Sequence, residues 1–226
     1  MVGYCNYTSK NKILNKIEYR IMGVPSRLEN IHYLQSQLGI SDKETFIDTE
    51  YRRNPMWTWK QTVRLPMDKE TTHLCVIQDD AVLPLHFKEF CNKIINRYPD
   101  AILNLYCYKN LDSKLPMGCI FTPNSNPGGV SMIIPVKYLD SIIEQQNKYY
   151  PNYIHDDNWI SYWAYHNGVK LYCTYPSIVD TFKETEMNHK WKGMYKFCGD
   201  TLKYHWINAT KFVLWKSNKW EELEWA

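Results

Sequence analysis

An apolar run, Thr72-His73-Leu74-Cys75-Val76-Ile77, breaks off into Gln78-Asp79-Asp80, and this junction constrains the fold more than any other stretch. A short apolar run rich in β-forming residues reads as a strand covered on both faces, as in a largely parallel sheet with helices around it. Two carboxylates cannot follow such a strand into the core, because uncompensated charge is costly to bury. They belong at its carboxyl end, where open α/β sheets bind ligands. Hard divalent cations take oxygen ligands and share them with substrate phosphates, so the pair is a candidate clamp for a metal and a phosphorylated donor. The competing reading is an acidic turn that caps the next helix.

The rest of the chain alternates in the same style, which points to an α/β layout with a largely parallel sheet. Glu18 to Val24 reads as a first strand, followed by the loop Pro25-Ser26-Arg27 and a helix carrying Leu28, Ile31, Leu34 and Leu38. Gly39 closes that helix in the left-handed position that glycine tolerates. Thr45-Phe46-Ile47 is a short strand ending in Asp48, and a long polar loop through Arg52-Arg53-Asn54-Pro55 leads into a helix with Trp57, Trp59, Lys60 and Val63. Further segments are a helix from about Leu85 to Arg97, a strand over 101–106, and a strand over 130–134 after the Pro127-Gly128-Gly129 loop. Helices over Tyr138 to Gln146 and Trp159 to Asn167 and a strand over 169–173 complete the series. The expected division is a catalytic domain over 1–181 and a C-terminal extension over 182–226.

Composition narrows the class. At 226 residues, 44% hydrophobic and 23% charged, the chain is globular rather than disordered. No apolar stretch approaches the length of a membrane span, and Met1 to Asn6 lacks the basic-then-apolar layout of a secretory leader. The seven cysteines are scattered, with no Cys-x-x-Cys pair, so a zinc site or disulfide framework is not expected and a reducing cytoplasm fits. From Lys183 to Lys219, eight lysines face only Glu184, Glu186 and Asp200 and are interleaved with aromatic residues. That mixture suits a polyanion, with charge for phosphates and rings for bases; a solvated, partly packed tail is the alternative.

Three acidic sites occupy comparable positions at strand ends or helix starts: Asp48, Asp79-Asp80 and Asp156-Asp157. If they converge, they supply a metal clamp and a base able to take a proton from an attacking hydroxyl. The chain has no Gly-x-Ser-x-Gly, P-loop or Gly-x-Gly-x-x-Gly, which weighs against serine hydrolases, P-loop nucleotidases and Rossmann dehydrogenases.

The order of these pieces resembles that of small GT-A-fold, nucleotide-sugar-dependent glycosyltransferases, including compact phage-encoded ones and relatives of the lipooligosaccharide enzymes. The matching stretches are Ile21 to Arg27, Phe46 to Asp48, His73 to Pro84, Gly128 to Pro135, His155 to Asp157, and Gly168 to Tyr172 with Tyr175 to Asp180. The resemblance implies a GT-A-like mixed, mostly parallel sheet flanked by helices, with Mn2+ or Mg2+ as cofactor and a UDP-sugar as donor. It makes Asp80 the metal-contacting member of a DxD-type site, with Asp79 or Gln78 near the ribose. Asp48 would meet the nucleoside, Pro25, Ser26 and Arg27 would lie beside the base, and Trp57 and Lys60 would close over the nucleotide. Gly128 and Gly129 would admit donor sugar and acceptor, and Asp156 or Asp157 would be the base of an inverting displacement. Relatives often carry His where this chain has Thr181, so the third metal ligand would be His189 or water.

The acceptor expected from the lysine-aromatic extension is a hydroxymethylated pyrimidine in phage DNA. A saccharide, lipid-linked glycan or protein hydroxyl is the alternative of the same chemistry. A metal-dependent phosphoesterase or nuclease and an inert nucleic-acid-binding module are the readings from other classes.

Overall fold

The computed structural model describes residues 15–84, 86–106, 118–121, 129–175 and 178–181. Strand β1 (Ile17–Gly23) pairs in parallel with β2 (Thr45–Ile47) on one side and β3 (His73–Gln78) on the other. A two-residue strand β4 (Ala81–Val82) follows at once. Beyond them lie β5 (Ile102–Asn104), β6 (Gly118–Phe121), β7 (Ser131–Pro135), β8 (Leu171–Tyr175) and β9 (Asp180–Thr181). The main sheet has the order β2-β1-β3-β7-β5-β8-β6, and β4 and β9 form a separate antiparallel ribbon. Only β7 and β6 run against the common direction, so the sheet is mixed and mostly parallel.

Helices cover both faces, and strand alternation decides which side chains each helix meets. In β3, Cys75 and Ile77 face one layer while Leu74 and Val76 face the other. The first layer is α1 (Leu28–Leu38) and α3 (Phe87–Arg97), which bring Ile31, Leu34, Leu38, Phe90 and Ile94 onto the sheet. The second is α2 (Pro55–Val63), α4 (Leu139–Tyr149) and α5 (Asp156–His166), with Trp59, Ile142, Trp159 and Trp163 inward. Each fully buried large aliphatic side chain contributes about 1.5–3 kcal/mol. One charged side chain shares this core. Arg20 is fully buried in β1, where it pairs with Glu18 at 2.6 Å and donates to the Thr62 carbonyl at 2.8 Å, tying β1 to the end of α2.

Local signals explain some helix ends. Gly39 follows α1 at φ 60°, as its position requires. Asn54 caps α2 by accepting from the Trp57 N–H at 2.9 Å, with Pro55 at the first helical position. Two ends differ from the sequence expectation. α3 begins at Phe87 rather than Leu85, because His86 takes a left-handed conformation at φ 64° that a helix cannot include. α5 begins at Asp156, three residues earlier than its apolar periodicity suggests, so both aspartates lie within its first turn and His155 holds the cap position. The antiparallel strands β6 and β7 and the β4–β9 ribbon also temper the largely parallel layout that the alternation implies.

Candidate active site

The parallel strands β1, β2 and β3 deliver Gly23, Asp48 and Asp79-Asp80 to one edge of the sheet. Backbone bonds lock the three ends together: Asp48 N–H donates to the Gly23 carbonyl at 2.8 Å, and Asp79 N–H to the Met22 carbonyl at 3.0 Å. Gly23 is required here because a Cβ would lie 2.7 Å from the Cβ of Asp79 and 2.9 Å from Cδ1 of Ile31. Its absence lets Asp79 reach across β1. Oδ2 of Asp79 accepts the Val24 N–H at 2.8 Å, and Oδ1 accepts from Arg27 Nη1 at 2.5 Å. Asn30 on α1 donates to the carbonyls of Asp79 and Ala81, closing the turn from the other side.

The two adjacent carboxylates thus have different environments. Both oxygens of Asp79 are engaged; burial nevertheless outweighs Arg27 and holds its carboxyl above the ordinary value. Asp80 is 13% exposed and 4.0 Å from Arg27. Its Oδ1 is hidden from solvent with no hydrogen-bond partner. Burial pushes the Asp80 carboxyl up to about 6, Arg27 opposes the rise, and the neighbouring Asp79 charge adds to it.

Strand β7 brings in the second acidic pair. Gln78 N–H donates to the Val130 carbonyl at 2.8 Å, which fixes the Gly129-Val130 segment beside the end of β3. Gly129 in turn lies against Asp157, where a Cβ would come within 2.5 Å of the Asp157 Cβ. The first turn of α5 is therefore linked to the Asp79-Asp80 turn through two residues of β7's approach. Asp157 is half-buried and its Oδ1 accepts the Asn158 N–H at 2.7 Å. Asp156, one residue earlier in the same turn, is buried in the helix face that packs on the core. Burial, then the charge of Asp157, drives its carboxyl well above the usual carboxylate range.

Asp48 is also buried, and its two oxygens accept the backbone N–H groups of Glu50 and Arg52 at 3.1 and 2.8 Å. It shapes the loop that leads into α2. Arg52 in that loop lies over the Trp57 ring at 3.9 Å, and Trp57 meets Phe46 of β2 edge-on. Pro25, Ser26 and Arg27 form a short 3-10 turn between β1 and α1. Lys60 donates to Gln146 and Asn147 of α4 at 2.8 and 2.9 Å, so its hydrogen bonds go to the helical layer rather than to the carboxylates. Gly128, His189 and the lysine-aromatic stretch lie outside the described residues.

Sequence reasoning missed Gly23, Asn30 and the β4–β9 ribbon. The Gly23 signal was available, since a glycine ending a strand marks close backbone approach. The ribbon sets Thr181 opposite Ala81, one residue from Asp80.

Among the described residues, no group of three or more His, Cys, Asp or Glu side chains is arranged to hold a metal ion. The unpartnered, buried Oδ1 of Asp80 still fits a hard cation of the kind held by one or two carboxylates together with substrate phosphates. Asp79 is less suited, as its oxygens are already used by Val24 and Arg27. No helix among the described residues is long and apolar enough to cross a membrane.

No protein-family model matches the chain, and no curated protein matches it in sequence. Solved structures do resemble its fold. One is a Drosophila β-1,4-galactosyltransferase 7 variant in complex with manganese, UDP-Gal and xylobiose, with 9% identity and a TM-score of 0.43 over 78% of this chain and 75% of that one. Another is a glycosyltransferase involved in glycosylation of the major capsid of PBCV-1, with 9% identity and a TM-score of 0.44 over 79% and 98%. A third is the CTP:phosphocholine cytidylyltransferase of Streptococcus pneumoniae, with 10% identity and a TM-score of 0.40 over 76% of each chain. At such identities, the chemistry of the site rests on this chain's own residues.

Proposed function

We propose that this chain is a GT-A-like glycosyltransferase that moves a sugar from a UDP-sugar to an acceptor hydroxyl with inversion. The observation that carries the reading is the convergence of the Asp79-Asp80 turn and Asp157 on one sheet edge, joined through Gln78, Val130 and Gly129. The pair's division of labour supports it: Asp79 is committed to holding Arg27 and Val24, and Asp80 keeps an oxygen in reserve.

In this reading Asp80, with donor phosphates and water, would hold Mn2+ or Mg2+. Such an ion stabilises the charge that develops on a departing diphosphate. Arg27, 23% exposed beside both aspartates, adds a fixed positive charge at that end of the donor. Asp157 takes the proton from the acceptor hydroxyl as its oxygen bonds to the anomeric carbon. The bond from that carbon to the diphosphate breaks, and UDP leaves with the electron pair. Asp157 suits the base role better than Asp156, which burial keeps protonated near neutrality. Asp48 positions the loop carrying Arg52, which with Trp57 offers a flat cationic surface for the nucleoside.

Two acceptors belong to the proposal. A 5-hydroxymethylpyrimidine in phage DNA rests on the basic, aromatic composition of 183–219. A saccharide hydroxyl is favoured by a specific feature of the described surface, an aromatic cleft along α5 whose described lining holds no acid, lysine or arginine. The deciding experiment incubates the protein and Mn2+ with a panel of UDP-sugars and saccharides, hydroxymethylated DNA or unmodified DNA, and reads mass shifts. A sugar-sized increment on one acceptor is expected. Neither transfer nor UDP release from any donor would sink the reading.

A further inference from the structure

A cleft of about 680 Å³ runs along the outer face of α5, walled on one side by Tyr150 and Tyr153 of the connection from α4. Its floor is helical. Asn158, Tyr162, Tyr165 and His166 recur at the spacing that places them on one face, over about 12 Å of helix. Asn158 at one end of the cleft is the residue that follows Asp157 in the first turn of α5.

Its rings are mutually braced. Tyr150 packs against Trp159 at 5.5 Å and against Tyr162 edge-on at 5.7 Å, and Tyr162 lies 4.1 Å from His166. Trp159 is pinned from below, its Nε1 donating to the Ile142 carbonyl at 3.0 Å. Tyr162 and Tyr165 nevertheless stay 44% and 57% exposed, a large ring area offered to solvent. Fixed, exposed rings bind with little loss of side-chain entropy.

Phenol hydroxyls, the Asn158 amide and the His166 ring line the cleft, and none of the described residues that line it is an acid, a lysine or an arginine. The Ser161 oxygen is hidden from solvent and has no hydrogen-bond partner. Phosphate-bearing polymers require cations, and the described lining holds no lysine or arginine. A neutral pyranose chain matches it, because sugar rings present C–H faces to aromatic planes and a rim of hydroxyls to phenols and amides.

We infer that the α5 cleft is a binding subsite for a neutral saccharide chain. The inference rests on the glycosyl-transfer reading for its direction, but binding itself needs no donor. The test is affinity electrophoresis of the whole chain through gels containing a β-glucan, a mannan or a xylan. Retardation by at least one polymer is expected, with at least a tenfold weaker association for the Tyr162→Ala, Tyr165→Ala double variant at an unchanged melting temperature. Should that variant unfold, Tyr153→Ala on the facing wall is expected to weaken retardation in its place. No retardation by any neutral polymer, or retardation untouched by these changes, overturns the inference, as does DNA binding that the tyrosine variants abolish. Such a failure leaves glycosyl transfer standing, whereas saccharide binding without any transfer would count against the transfer reading instead.

Discussion

Gly129 and Asp157 touch so closely that no methyl group fits between them; a Cβ on Gly129 would lie 2.5 Å from the Asp157 Cβ. Backbone and carboxylate are thereby held at a single separation. Gly129→Ala must push Asp157 and the first turn of α5 away from β3. Overpacking of this kind costs about 1–3 kcal/mol, and displacement of a catalytic group by about 1 Å costs on the order of 100-fold in rate. Thermal unfolding and sugar-transfer assays together check this, and near-normal turnover in a destabilised protein would contradict it.

Asp156 and Asp157 are predicted to respond differently to the same change. Asp156→Asn replaces a carboxyl already protonated near neutral pH with a neutral group of the same shape, and most of the activity should survive. Asp157→Asn removes the proposed base and should lower kcat by about 100-fold or more. Steady-state kinetics with a common acceptor distinguishes the two, and equal losses would show the assignment to be wrong.

Asp80 carries a pH signature in the metal-free protein. Its carboxyl ordinarily titrates at 3.8 and does so at about 6 in the fold, so the folded chain holds this proton more tightly than the unfolded chain. Its contribution is fully favourable below 3.8 and is lost as pH rises through about 6. Asp80→Asn should therefore stabilise the metal-free protein at neutral pH, by about 1–3 kcal/mol, and remove any gain in melting temperature from Mn2+. Denaturant titrations from pH 4 to 7, with and without Mn2+, measure both effects.

Asp79 is expected to behave in the opposite way despite being next in the chain. Asp79→Ala strands the Val24 N–H and takes from Arg27 its 2.5 Å partner. Breaking a largely buried pair on one side costs about 3 kcal/mol. Urea unfolding should show this loss, and a stabilised Asp79→Ala protein would refute the structural role given to it.

Much of the fold was legible because its elements carry local signals: the apolar run of β3, the period of Ile31, Leu34 and Leu38, and Gly39 after them. The acidic positions were legible for the same reason, as each interrupts an apolar segment. What stayed hidden is non-local. Nothing in Arg27 or Asn30 announces a partner at Asp79, some fifty residues on, and nothing in Ser131 to Pro135 announces an antiparallel neighbour. Strand direction follows from how connections pack, which leaves the residue pattern of a doubly covered strand unchanged. Burial has the same character. Asp156 and Asp157 look identical in sequence, and a rotation of about 100° around α5 separates a buried position from a half-buried one.

The short β4–β9 ribbon makes residues far apart in the chain into neighbours, with Thr181 seated opposite Ala81 beside Asp80. The polypeptide thus returns at β9 to the edge that carries the Asp79-Asp80 turn. A change at Thr181 bears directly on β4, the strand that follows Asp80. A cut placed after Thr181 for convenience of purification would turn the ribbon's second strand into a chain end.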